Sequence, residues 1–239
     1  MSHSSQRQFV ELVSTGLPEY FVRKKVLEIG SLNLNGSVRD FFQDCDYLGL
    51  DVSAGKDVDM VCEGQNYSGP DNSFNQVISC EVMEHNPFWK ETLQNMLRLC
   101  APGGLFTLTC ATTGRPEHGT TRSNPNDSPL TVGIGWDYYL NLTDSDFASV
   151  LDLGTSFVRH KFWVNWSSFD LFFLGIKSGA PVSPQTLECW DRTISAIDGY
   201  VTRSNRSTKG MARALVATSA GEQGFKWIRL ATRKIRYSW

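Results

Sequence analysis

A chain of 239 residues, 41% apolar and 20% charged, has core enough for one large α/β domain, or for one domain with an appendage. No stretch approaches the roughly 18 uninterrupted apolar residues of a membrane-spanning helix, and the polar opening Met1-Ser2-His3-Ser4-Ser5-Gln6 lacks the apolar centre of a secretory leader. The formal charge is only −2, the six cysteines are scattered without CxxC spacing, and the four histidines are equally dispersed. That pattern predicts a reducing, cytoplasmic setting with neither a disulfide frame nor a metal cage.

In chain order, Phe9, Val10, Leu12, Val13 and Leu17 place an apolar face before Pro18, which predicts a helix ahead of the first strand. That strand is Val26-Leu27-Glu28-Ile29, closed by Gly30 and followed by the loop Gly30-Ser31-Leu32-Asn33-Leu34-Asn35-Gly36. A second apolar run, Tyr47-Leu48-Gly49-Leu50, ends in Asp51. A buried strand meeting a glycine turn lets the backbone approach a ligand and feeds a helix. A carboxylate ending the neighbouring strand can accept from both ribose hydroxyls. The loop lacks the glycine two residues past Gly30 that would admit a diphosphate. The spacing therefore points to a nucleoside ligand without diphosphate.

Val58-Asp59-Met60-Val61 reads as a third strand, and residues 71–79 as a turn leading into a short buried fourth. Cys80-Glu81-Val82-Met83-Glu84-His85 follows directly. Trp89, Leu93, Met96, Leu97 and Cys100 fall at helical spacing, Pro102-Gly103-Gly104 makes a turn, and Leu105-Phe106-Thr107-Leu108-Thr109 is the next strand. Residues 157–166 and 171–176 read as the two last strands.

Taken in this order the motifs resemble the class I S-adenosylmethionine-dependent methyltransferases. The shared features are Glu28-x-Gly30, the acidic strand end at Asp51, Glu84-His85 after the fourth strand, and Pro102-Gly103-Gly104 before the fifth. The resemblance spans residues 25–109 and continues to 177. Two departures stand out: the family's three-glycine loop keeps glycine only at its start and end, and Glu63 replaces an acid that is often Asp. The resemblance implies an α/β, Rossmann-like fold with a seven-stranded sheet, an antiparallel final hairpin and helices on both faces. The catalytic domain would occupy residues 1–180, with 181–239 as an extra C-terminal helical tail. It also implies S-adenosylmethionine as cofactor. Gly30, Ser31, Asn33 and Gly36 would run along its methionine portion, with Glu28 near the amino group. Asp51 and Val52 would meet the ribose, and Glu63, Gly64, Cys80 and Glu81 would flank adenine and ribose.

Residues 111–142 carry four prolines or glycines in their first half alone and show no sustained period. Loops beyond about 12–15 residues in compact domains tend to be lids or binding loops, and this one leaves the carboxyl end of the fifth strand, where open α/β sheets bind ligands. Its end, Trp136-Asp137-Tyr138-Tyr139-Leu140-Asn141-Leu142-Thr143, resembles a segment of a methyltransferase subgroup linked to glycan and small-molecule modification, with Thr143 capping a helix through Asp146. The expected acceptor is a small molecule or glycan precursor, and the expected reaction O-methylation. A hydroxyl is a poor nucleophile near neutral pH and gains from a positioned base. His118, oriented by Glu117 or Asp127, and His85 after the fourth strand are the candidates.

Charge divides unevenly: residues 201–239 hold nine Lys or Arg against one acid, Glu222, which leaves residues 1–200 at −10. Lys226, Arg229, Arg233 and Arg236 share one helical face, with Ile228, Ala231, Ile235 and Trp239 on the other. Such a helix over residues 222–239 fits peripheral contact with an anionic membrane or an acidic partner, or packing on the catalytic domain. The acidic remainder argues against nucleic acid. Two alternatives stay open. Asn33-Leu34-Asn35 could weaken cofactor use and leave a non-catalytic binding protein. A nicotinamide-dependent reductase is disfavoured by the missing diphosphate glycine and the lack of a Tyr-x-x-x-Lys pair.

Overall fold

The computed structural model describes residues 4–236, with side chains through Ile228. Among these residues seven strands form one sheet: β1 (Lys25–Ile29), β2 (Asp46–Asp51), β3 (Met60–Val61), β4 (Phe74–Cys80), β5 (Cys100–Ala111), β6 (Phe157–Asn165) and β7 (Asp170–Lys177). Their order is β3-β2-β1-β4-β5-β7-β6. The first five run parallel, and β7 lies antiparallel between β5 and β6. The winding reverses between β1 and β4, and a crevice opens outside the carboxyl ends of strands at such a point.

Both faces of the sheet are covered, which is why β1 and β4 are almost continuously buried. Leu27, Ile29, Val77 and Phe106 pack with Leu93 and Met96 of α2 (Trp89–Leu99) and with Phe147 of α4 (Asp144–Ala148). On the other face Val26, Ile78 and Phe172 meet Phe9 and Val13 of α1 (Ser4–Gly16) and Trp190 and Ile197 of α6 (Pro184–Asn205). The two helices touch closely, since a Cβ on Gly16 would fall 2.0 Å from Thr193 Oγ1. The first part of the expected C-terminal extension is thus a layer of the sheet's own core. Two short helices, α3 (Pro129–Gly133) and α5 (Leu153–Ser156), lie in connections.

Several expectations change in detail. The glycine loop feeds no α-helix. Asn33 Oδ1 accepts from Gly36 N at 2.9 Å, and only a 3-10 turn, Val38–Phe41, capped by Ser37, precedes β2. The few residues left between that loop and β2 cannot hold a helix and a return. β3 is shorter than expected, because Asp59 turns its carboxylate to Gly49 N at 2.7 Å and to Arg39. β5 begins at Cys100, directly after α2, and absorbs Pro102-Gly103-Gly104 as an irregularity of the ladder.

The last helix, α7 (Thr208–Arg236), is broken at Gly221 (φ 52°, ψ −148°). Past the break it returns to the body: Phe225 is buried edge-on against Phe169, and Glu222 accepts from Gly114 N at 2.8 Å. Of the expected basic and apolar faces, the side chains of Arg229, Ala231, Arg233, Ile235 and Arg236 are not among those described, and Trp239 lies outside the described residues. No helix among the described residues is long and apolar enough to cross a membrane.

Candidate active site

A cleft opens at the carboxyl ends of β1, β2 and β4. Gly30 ends β1 with φ +83°, and a Cβ there would fall 2.0 Å from Val82 Cγ2, so only glycine lets the turn close on the segment after β4. Asp51 stands at the end of β2. Its Oδ2 accepts from Leu32 N at 3.0 Å and its Oδ1 from Val52 N at 2.8 Å, which fixes the carboxylate at the cleft. Burial raises its pKa against the pull of those two bonds. Glu81, just past β4, holds φ +58°, a conformation that costs a non-glycine residue about 1–3 kcal/mol and concentrates at functional sites.

The cleft brings together Gly30, Asp51, Val52, Gly64, Glu81 and His85. It does not bring in Glu28, Ser31, Asn33, Gly36, Glu63 or Cys80 as lining residues. Glu28 points to the opposite side of β1, where its carboxylate accepts from Tyr47 Oη at 2.8 Å and burial pushes its pKa up to about 7. Asn33 braces its own loop, donating to Asp57 Oδ2 at 2.6 Å. Ser31 is buried beneath the turn, close against Gly49. Glu63 accepts from the side chains of Gln65 and Asn66, and Cys80 is buried in the sheet with its thiol pKa pushed up by desolvation. Leu32, Leu34, Cys62 and Asn86 line the cleft without having been singled out from sequence, and Trp136, from the segment that ends the long loop, joins them. Two leucines in an otherwise polar loop were the available signal for the first pair.

A second cavity, about 260 Å³, shares Glu81, His85 and Asp127 with the cleft and adds Arg115, Pro116, Glu117 and His118. His118 stands edge-on to His85 at 4.8 Å between centroids, and Tyr139 lies 5.5 Å and 5.0 Å from the two rings. Burial drives the His85 pKa down to about 3, with His118 adding to the shift, so His85 is neutral near pH 7 and a feeble base. Burial lowers His118 as well, against the bond from its Nδ1 to Pro116 O at 3.1 Å. That bond places the proton on Nδ1 and leaves Nε2 as an acceptor.

Glu117 does not orient His118. Its carboxylate accepts from Thr120 Oγ1 at 2.7 Å and Arg122 Nε at 2.9 Å. Arg122 also donates to Asp137 at 2.7 Å, as does Thr121, so much of the loop's polar content holds the loop itself. Asp127 lines both cavities and accepts from Asn124 Nδ2 at 2.9 Å. Arg115 pairs with Asp170 at 3.1 Å and stands 4.0 Å from Glu81.

This sheet order and cleft define the class I methyltransferase fold. Residues 37–108 match the family model described as a methyltransferase domain, beginning just past the glycine loop whose pattern departs. By that domain match and that fold the chain is similar to the class I S-adenosylmethionine-dependent methyltransferases. No curated protein matches the sequence. Among solved structures it is similar to Burkholderia thailandensis 1,6-didemethyltoxoflavin-N1-methyltransferase, crystallised with 1,6-didemethyltoxoflavin and S-adenosylhomocysteine. Identity is 15% and TM-score 0.51, over 74% of this chain and 79% of that one. It is also similar to Haemonchus contortus phosphoethanolamine N-methyltransferase 2, at 13% identity and TM-score 0.52, with 72% and 52% covered, in complex with S-adenosylmethionine. The CurJ carbon methyltransferase matches at 15% identity and TM-score 0.47, over 66% of this chain and 50% of that one. The chain therefore spans about half the length of two of these three.

Proposed function

We propose that this protein transfers the methyl group of S-adenosylmethionine to a hydroxyl of a small molecule or glycan precursor. One observation carries the reading: Gly30, Asp51 and Glu81, from the ends of three adjacent parallel strands, line one cleft. The residues fit the cofactor. A fixed carboxylate suits a ribose diol, and Ile29, Leu32 and Val82 give apolar walls for a base. The solved structures of similar fold that hold S-adenosylmethionine or its demethylated product support the same ligand.

The bound cofactor supplies an electrophilic methyl on a sulfonium. Asp51 would accept from the ribose, and the Gly30 turn would admit backbone contact where any side chain would collide. Glu81, shared by both cavities, marks the boundary between cofactor and acceptor. His118 offers Nε2 to take the acceptor's proton, and His85 and Tyr139 form the wall behind it. Positioning of this kind, with a general base, is what methyl transfer to a hydroxyl asks of the protein. We place the enzyme in the cytoplasm. Residues 222–239 would attach it peripherally to an anionic surface, a reading supported by the charge of residues 201–239 and by exposed Trp227.

Calorimetry with S-adenosylhomocysteine tests the cofactor reading. Binding is expected at micromolar levels, and Asp51→Ala should weaken it by about 1.5–3 kcal/mol, the worth of hydrogen bonds to a charged group. A wild type that binds NADH and not S-adenosylhomocysteine would overturn it.

A further inference from the structure

The fold gathers two of the four dispersed histidines. One ligand atom each from Glu84, His85 and His118 lies within 4.8 Å of the other two. Glu84 is wholly buried. Its Oε1 accepts from Ala111 N at 3.1 Å, and its Oε2 has no hydrogen-bond partner among the described residues. His85 is 4% exposed, and its Nδ1 likewise has none. Leaving a buried polar atom unpaired costs about 1–3 kcal/mol, so two such atoms on adjacent residues call for a third party. His118 meanwhile donates through Nδ1 to the Pro116 carbonyl, the kind of outer contact that orients a metal-binding imidazole by its other nitrogen.

We propose that Glu84, His85 and His118 bind one divalent first-row transition ion, with zinc as the reference case, on the acceptor side of the cleft. Two imidazoles and a carboxylate suit such ions and leave coordination positions open. Bonds of about 2.0–2.2 Å at tetrahedral angles hold ligand atoms ~3.4 Å apart, so the loop carrying His118 closes by up to about 1.4 Å on binding. Gly119, at φ +64°, already permits the approach, because a Cβ there would fall 2.7 Å from His85 Cε1. Glu81, Glu117 and Asp127 line the same cavity and favour a cation. Arg115, also in its lining, opposes it but is engaged by Asp170. With an ion bound, His118 is a ligand and not the base. Any part the ion plays in methyl transfer rests on the function proposed above, whereas the binding site does not.

The test uses full-length protein stripped with a chelator and titrated with zinc chloride in the calorimeter, and with cobalt(II) as an optical probe. One ion per chain is expected, with visible cobalt bands. His118→Ala and Glu84→Gln should each weaken zinc binding by about 100-fold or more, since even outer-contact losses cost 10–100-fold. S-adenosylhomocysteine affinity should stay within a few-fold and reports that the variants are folded. His118 lies on a half-buried loop, so its variant decides the matter should Glu84→Gln not fold. Zinc affinity unchanged in His118→Ala, or no zinc uptake by a wild type that binds S-adenosylhomocysteine, would overturn the ion site. Zinc uptake lost in His118→Ala, by a protein that ignores S-adenosylhomocysteine, would sustain the ion site and remove the methyltransferase reading.

Discussion

Glu28 lies in β1 two residues before the Gly30 turn, yet its carboxylate faces Tyr47 and not the cleft. Burial raises its pKa from 4.5 to about 7, so the folded chain keeps a proton that the unfolded chain has lost. The resulting stability is fully present below pH 4.5 and is lost as pH rises through about 7. Glu28→Gln keeps an acceptor for Tyr47 and carries no titration. Urea unfolding should therefore show a flatter profile for the variant from pH 4.5 to 7, and a gain over wild type above pH 7 on the order of 2–3 kcal/mol. Parallel profiles would mean that Glu28 is not protonated in the fold. At this scale Gly30 and Asp51 were legible because strand-end geometry follows from local pattern. The direction of Glu28 was not, because a strand covered on both faces gives no alternation to read.

The loop after β5 was legible as an element, from its glycines and prolines, and so was the Thr143–Asp146 capping box at the start of α4. What the loop does with its polar residues was not, because Glu117, Thr121 and Arg122 find partners within the loop that only its fold makes neighbours. The missing helix after β1 has a similar cause: Asn33 can cap a turn or meet a ligand, and the sequence does not choose between them. α7 adds a contact with no sequence signal at all. Glu222 holds Gly114 N at 2.8 Å and Asn141 Nδ2 at 3.2 Å, which pins the start and end of the loop to one carboxylate. Glu222→Ala should raise the exchange rate of the Gly114 amide about tenfold or more, the equivalent of a charge-assisted bond of about 1.5–3 kcal/mol. An unchanged rate would show that the loop holds its shape without α7.

Across the whole molecule, the sheet order followed from motif sequence, but the place of the C-terminal helices did not, since amphipathic segments do not name the surface they cover. α6 lies in the core beside α1, and α7 returns through Phe225, so the surface available to a partner is narrower than the sequence suggests. Trp227 remains 70% exposed in the basic part of the chain. Full-length protein should co-sediment with anionic vesicles at low salt and release at high salt, with about 1 kcal/mol from each basic residue near the bilayer. Deleting residues 226–239 spares Glu222 and Phe225 and should abolish the attachment while leaving S-adenosylhomocysteine binding intact. Vesicles that fail to bind the protein at any salt would assign the charge of this segment to solvent.

The break at Gly221 also bears on how the protein is made. Every residue lining the cleft at the ends of β1, β2 and β4 lies between Ile29 and Trp136, whereas another cavity takes part of its wall from Glu222 and Lys226. Synthesis runs from the N-terminus, so a nascent chain has all the lining of one chamber long before it can enclose the other. The two can also diverge separately: exchanging the segment after Gly221 would reshape the outer chamber and leave the inner one untouched.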